Sequence, residues 1–385
     1  MSGKPARVLI AGISVRAMAQ SAARAGYEVT AIDAFGDLDT LQAAHRALTP
    51  RRDLDRPFSA ARLAALAREV PAEFLCYGST LENYPRTLAD LMRRRHLLGN
   101  APGVLRRVRD PLHLTRTLRR NGFAAPRTRA TPAEAGSWLL KPRRSGGGRG
   151  IVPWTRGSTV PRARYLQERV RGIPGSMAFS ADGRRLIPLA VSRQLIGIRS
   201  LGARDFMYAG SILAPVDDPQ FPHASALFAR VQTLAEAVVE EFGLLGVNGI
   251  DFVARDGVPF PVEVNPRYSA SLELAERAYG ISVFQMHASG CLDQLPRSAL
   301  LPRRFLPIGK AIVYARRRVT LGDTRPWLED ASLADIPWPG EQVAAGHPIC
   351  TVFATAATAL ECERRLLARA ERVYGELSRP RGRAA

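Results

Sequence analysis

Residues 249–267 constrain the fold more than any other stretch of the chain. They read Gly-Ile-Asp-Phe-Val-Ala-Arg-Asp-Gly-Val-Pro-Phe-Pro-Val-Glu-Val-Asn-Pro-Arg. Two apolar runs of strand character flank a turn at Arg255, Asp256 and Gly257. Successive side chains alternate across a strand, so Glu263 and Asn265 share a face. Asp251 opens the first run, and a hairpin brings it to the other two. Hard oxygen ligands on rigid strands suit Mg2+, which takes one or two carboxylates plus phosphate oxygens. Arg267 follows at once, and its planar fork suits a phosphate or a carboxylate. These residue types fit phosphoryl transfer from a magnesium nucleotide.

A chain of 385 residues makes two or three domains with real cores, and 46% hydrophobic content fits a globular protein. No apolar run is long enough to span a membrane. Residues 8–11 are strand-like and follow Lys4 and Arg7 too early for a signal peptide. Cys76, Cys291, Cys350 and Cys362 are scattered without a CxxC pair. The expectation is a cytoplasmic protein with reduced cysteines. The formal charge is +20, yet only Lys4, Lys141 and Lys310 are lysines, and the arginines come in dispersed pairs and triplets. No single basic block forms, so nucleic acid is not the expected partner. A basic cleft for nucleotide and an acidic substrate accounts for part of the charge.

The first hundred residues alternate strand (8–11, 28–33, 74–77) with helix (15–25, 60–69), the pattern of a parallel α/β unit. Gly12-x-Ser14 is not a dinucleotide fingerprint. Asp33 at the second strand's end reads as a loop acid in preference to a ribose acceptor. The expected divisions are 1–101, an α/β unit; 102–164, with a helix at 112–120 and a strand, glycine loop, strand hairpin; 165–300, a mixed α+β block; 301–377, a C-terminal α+β extension; and 378–385, a disordered tail. In the second division Lys141 precedes Pro-Arg-Arg-Ser-Gly-Gly-Gly-Arg-Gly. A lysine in an arginine-using chain suggests a need for a compact point charge on phosphate. Gly146, Gly147 and Gly148 let backbone pass close to a ligand, and their N–H groups suit phosphates. No Gly-Lys-Ser/Thr follows, so this is not a Walker A loop. Arg193 ends a long predicted strand over 186–195. It is either a solvated edge residue or a group holding a substrate carboxylate or the transferred phosphoryl. No histidine pair has metal-ligand spacing, and no serine elbow is present.

Lys141, the glycine loop and the pattern Asp251…Glu263-x-Asn265-Pro-Arg267 together resemble the ATP-grasp carboxylate–amine ligases. The resemblance covers residues 103–295 and implies the ATP-grasp fold, with residues 1–101 as its pre-grasp domain. It implies Mg2+ on Asp251, Glu263 and Asn265, and ATP held by Lys141 and the loop. Glu168 would face the adenine amino group, with backbone at Arg169, Val170 and Arg171 reading the ring edge. It implies small-molecule carboxylate and amine (or, less often, thiol) substrates, an acylphosphate intermediate, and Arg267 with Arg193 stabilising that intermediate. A homodimer is compatible with this. The chain departs from the pattern near residue 111, where a second nucleotide lysine is usual and only Arg109 or Arg116 is at hand. The ribose-binding acid after the hinge is also missing from residues 171–176. Within the family, Gly12-x-Ser-x-Arg16, Asp33-Ala-Phe-Gly-Asp37 and Asp335-Ile-Pro337 resemble the tyramine–glutamate ligases of methanofuran-type cofactor synthesis. That implies an amino acid such as glutamate as carboxylate donor. A carboxylase, a kinase, a thiol ligase and a non-catalytic nucleotide-binding scaffold of the same fold remain the alternatives.

Overall fold

The computed structural model describes residues 4–133, 135–297, 302 and 304–378. The predicted parallel unit is present as a five-stranded sheet. Its order is Arg46–Leu48, Glu28–Ile32, Arg7–Ala11, Phe74–Tyr77 and His96–Leu98. The middle strand is buried from Val8 to Ala11, as strands covered on both faces are. Helix Arg16–Arg24 stops before Gly26, whose φ of +86° suits glycine at a helix end. The strands Arg46–Leu48 and His96–Leu98 were not foreseen, since three residues carry no periodicity. The presumed boundary at Pro102-Gly103 is the first turn of helix Pro102–Val108, where proline at the N-terminus is tolerated.

A four-stranded sheet follows, ordered Thr128–Arg129, Arg164–Glu168, Trp138–Pro142 and Val152–Pro153. Leading into it, helix Pro111–Arg120 is capped by Asp110, whose carboxylate accepts from the backbone N–H groups of Leu112 and His113.

The largest sheet has eight antiparallel strands. In order they are Val258–Asn265, Leu245–Arg255, Ile173–Asp182, Leu186–Ile196, Tyr208–Leu213, Ile308–Tyr314, Pro348–Thr355 and Leu333–Ala334. Alternation sorts its side chains. Met177, Phe179 and Ala181 face helix Ala224–Phe242, while Ala178 joins the core shared with the N-terminal unit. That helix buries Leu227, Val231, Leu234, Val238 and Phe242 at helical spacing and ends at Gly243, φ +65°. Each such side chain contributes about 1.5–3 kcal/mol by leaving water. The strands at 308–314 and 348–355 form no separate sheet of a C-terminal extension. They continue the large sheet, so the sheet runs through residues assigned to two divisions. The tail predicted over 378–385 begins inside helix Ala359–Ser378, and residues 379–385 lie outside the described residues.

Candidate active site

The three sheets enclose a cavity of about 1110 Å³, and the carboxyl ends of the parallel strands open on it through Ile13, Ser14, Gly78, Ser79 and Thr80. This is where open α/β sheets bind ligands.

The predicted hairpin forms one wall. Asp256 and Gly257, with φ of +52° and +70°, make its two-residue turn, which suits Asp-Gly. Pro259 and Pro261 are tolerated because Val258–Asn265 is an edge strand. Asp251 pairs directly with Glu263, and the register shifts between Asp251 and Phe252. Such a bulge beside a site re-aims side chains. Asn265 Nδ2 donates to Asp251 Oδ2 at 2.9 Å, and Gln194 Nε2 donates to Asp251 Oδ1 at 3.0 Å. Burial, then the Glu263 charge, pushes the Asp251 carboxyl up to about 6. Burial also pushes Glu263 up, but Arg109, Lys141 and Arg267 outweigh it and hold its carboxyl below the ordinary range. Two facing carboxylates in one buried site accommodate a hard cation, and the amide oxygen of Asn265 adds a third oxygen donor. Among the described residues no group of three or more His, Cys, Asp or Glu is placed around a metal, so this pair with its amide is what a divalent ion would use.

Arg267 donates from Nε to Glu82 Oε1 at 2.8 Å and from Nη2 to Asn265 Oδ1 at 3.1 Å. Lys141 is only 7% exposed, and its Nζ donates to Gln167 Oε1 at 3.0 Å. Of the two arginines near the missing lysine, Arg116 is exposed on its helix and Arg109 lines the cavity. Arg109 lies 3.4 Å from Glu263 and also donates to the Val264 carbonyl at 3.2 Å. Gly146, Gly147 and Gly148 line the same cavity. The Gly147 carbonyl accepts from the Tyr208 N–H at 3.1 Å, so the loop rests on the large sheet. A Cβ at Gly148 would stand 1.7 Å from the Phe206 carbonyl oxygen, so only glycine fits there. Glu168, Arg169 and Val170 line the cavity at the end of strand Arg164–Glu168.

Two expectations need correction. The Glu168 carboxylate is held by Arg127, through its backbone N–H at 3.1 Å and its guanidinium at 3.2 Å, and is not free to face a base. Arg193 is not in the cavity lining. Asp251 stands opposite Ser176, which stands opposite Ser192, so the even-numbered neighbours of that strand face the site and Arg193 faces away. It pairs with Glu363 at 2.5 Å, and Gln194 takes the place next to Asp251. Asp33 is the loop acid expected, accepting from the N–H groups of Val15, Phe35 and Gly36.

The sequence gave no sign of Glu82, Tyr268 or the buried cluster around Arg16. Lys310 was within reach, because the lysine-scarcity argument that singled out Lys141 applies equally to it. Lys310 is 4% exposed and lines the cavity.

Residues 108–271 match the family model of the ATP-grasp domain. The chain is 22% identical over 366 residues to an uncharacterised protein of Methanocaldococcus jannaschii, covering 90% of this chain and 88% of that one. It is 28% identical over 303 residues to a formate-dependent phosphoribosylglycinamide formyltransferase of Pelobacter propionicus, covering 74% and 75%. The carboxyaminoimidazole ribonucleotide synthase of Aspergillus clavatus, solved with ATP, matches with a TM-score of 0.70 at 15% identity, over 96% of this chain and 99% of that one. The fold is therefore the ATP-grasp fold, and the chain is an ATP-grasp ligase. No helix among the described residues is long and apolar enough to cross a membrane.

Proposed function

We propose that this protein is an ATP-dependent carboxylate–amine ligase that works through an acylphosphate. The observation that carries the reading is the register pair Asp251–Glu263, set with Asn265 in the same cavity as Lys141 and the glycine loop. In this reading the γ-phosphoryl of ATP passes to a substrate carboxylate, and an amine then displaces phosphate. ATP, acid and amine become ADP, phosphate and amide. Magnesium, when bound, supplies positive charge to the phosphoryl oxygens as they transfer. Asp251, Glu263 and Asn265 would hold it. Lys141 places a point charge on the nucleotide phosphates, and the loop backbone covers them. Arg267, oriented by Glu82, faces the charge that develops on the acylphosphate. The loop, already resting on Tyr208, keeps water from that intermediate.

For the finer reading, an amino acid such as glutamate joined to an amine in one-carbon cofactor synthesis, the support is spatial. The three segments that carry the resemblance to tyramine–glutamate ligases pack together around Arg16. The test is ADP release by purified protein with Mg-ATP and a panel of amino acids and amines. Release that needs both substrates, and is lost in Glu263→Gln, is the expected result. Tight magnesium-dependent nucleotide binding with no release under any pair would favour the non-catalytic scaffold.

A further inference from the structure

A second wall of the cavity is assembled from residues 12–16, 33–39 and 335–337, and its charges nearly cancel. Arg16, 1% exposed, donates to both oxygens of Glu273 at 2.5 and 3.0 Å and to both oxygens of Asp335 at 2.9 and 3.3 Å. Its Nε lies 3.5 Å from Asp39. Lys310 donates to Glu273 at 2.6 Å, and Arg277 stands 3.6 Å from the same carboxylate. Three cations thus meet three carboxylates, Glu273, Asp335 and Asp39. Glu341 pairs with Arg51, and Asp33 is held by backbone N–H groups.

Asp37 is left over. It is 6% exposed and lines the cavity, and among the described residues its carboxylate takes no hydrogen bond or ion pair. Burial, then the charges of Asp335, Asp33, Asp39 and Glu341, push its carboxyl well above the ordinary range. A second group points the same way. The Tyr268 hydroxyl is buried, lines the cavity and has no hydrogen-bond partner. Buried polar groups without partners are costly, so both call for a ligand. A lone buried carboxylate calls for a cation.

We infer that this wall binds the amine co-substrate as an unphosphorylated primary ammonium group, read by Asp37 with the Tyr268 hydroxyl as second partner, an inference that rests on the ligase reading above. An ammonium offers three donors and a compact charge. A phosphorylated amine would bring negative charge to a wall whose Arg16 and Lys310 are already engaged by Glu273 and Asp335.

The test is ligand-observed NMR on the full chain with Mg-ATP present. The probes are ethanolamine, 2-phenylethylamine, 1,4-diaminobutane and O-phosphoethanolamine. At least one unphosphorylated amine should bind the wild type, and at least tenfold more weakly to Asp37→Asn. Asp37 caps no helix through its side chain, so asparagine leaves the local backbone bonds in place. O-Phosphoethanolamine should bind wild type at least tenfold more weakly than ethanolamine, a comparison that needs no variant. Equal binding by Asp37→Asn, preference for the phosphorylated probe, or binding of no amine would each overturn the inference. ADP release that survives such a result would leave the ligase reading standing. Amine binding that follows Asp37 without any ADP release would do the reverse.

Discussion

The two walls of the cavity are built in opposite ways. The hairpin wall brings Asp251, Glu263, Asn265 and Arg267 together from seventeen successive positions (251–267) on two paired strands. The Arg16 wall draws on residues as far apart as Arg16 and Asp335, joined by backbone bonds from Asp335 and Ile336 to Asp39 and from Leu38 to Ile336. On the hairpin wall, cations crowd two carboxylates whose pKa values are driven apart. On the Arg16 wall, carboxylates outnumber their cations by Asp37. Local pairing gives a site in which any one side chain exchanges without loss of the fold. A long-range ion cluster makes the site part of what holds the domains together.

The largest effect should therefore come from Arg16→Met. It leaves Glu273 and Asp335 buried without their main partner, a loss of about 3–5 kcal/mol, read as a lower urea midpoint. The pH dependence carries the same sign. Burial pushes the Glu273 carboxyl up, but Arg16 and Lys310 hold it far below the ordinary range. Its stabilisation is complete above an unfolded value of about 4.3 and is lost as pH falls through the folded one. Acid unfolding of Arg16→Met should show a smaller share of this loss. If Arg16→Met unfolds with the wild-type midpoint, the contrast between the walls fails.

Next comes Glu263→Gln. Its turnover should fall on the order of 10²–10³-fold while its urea midpoint stays near wild type. A large stability loss here would make the hairpin wall structural as well. Gly148→Ala should raise the KM for ATP about tenfold, since a left-handed alanine is strained by about 1–3 kcal/mol and its Cβ meets the Phe206 carbonyl. Gly146→Ala, with open space at its Cβ, should stay within twofold. The smallest effect belongs to Arg193→Ala, which loses a half-exposed pair with Glu363, about 0.2–1 kcal/mol, and leaves turnover unchanged. A large loss of turnover there would return Arg193 to the site.

The same contrast explains what could be read from the sequence. The helices Ala224–Phe242, Leu272–Tyr279 and Val283–Cys291 and the hairpin carry their periodicity and turn residues in contiguous sequence. Arg193 was misplaced by one residue of strand parity, which register alone decides. Glu168 was assigned by position, and position does not disclose that Arg127 would take its carboxylate. The segments at 12–16, 33–37 and 335–337 stood out in the sequence, but nothing local says that they meet. Glu273 and Lys310, which complete their cluster, come from a helix and a strand with ordinary patterns.

The most direct test of the ligase account is trapping of the acylphosphate. Protein, Mg-ATP and a panel of carboxylic acids are incubated with hydroxylamine in place of the amine. The account predicts a hydroxamate formed in step with ADP for at least one acid, with both lost in Glu263→Gln. ADP released without hydroxamate, or hydroxamate formed equally by Glu263→Gln, would contradict it.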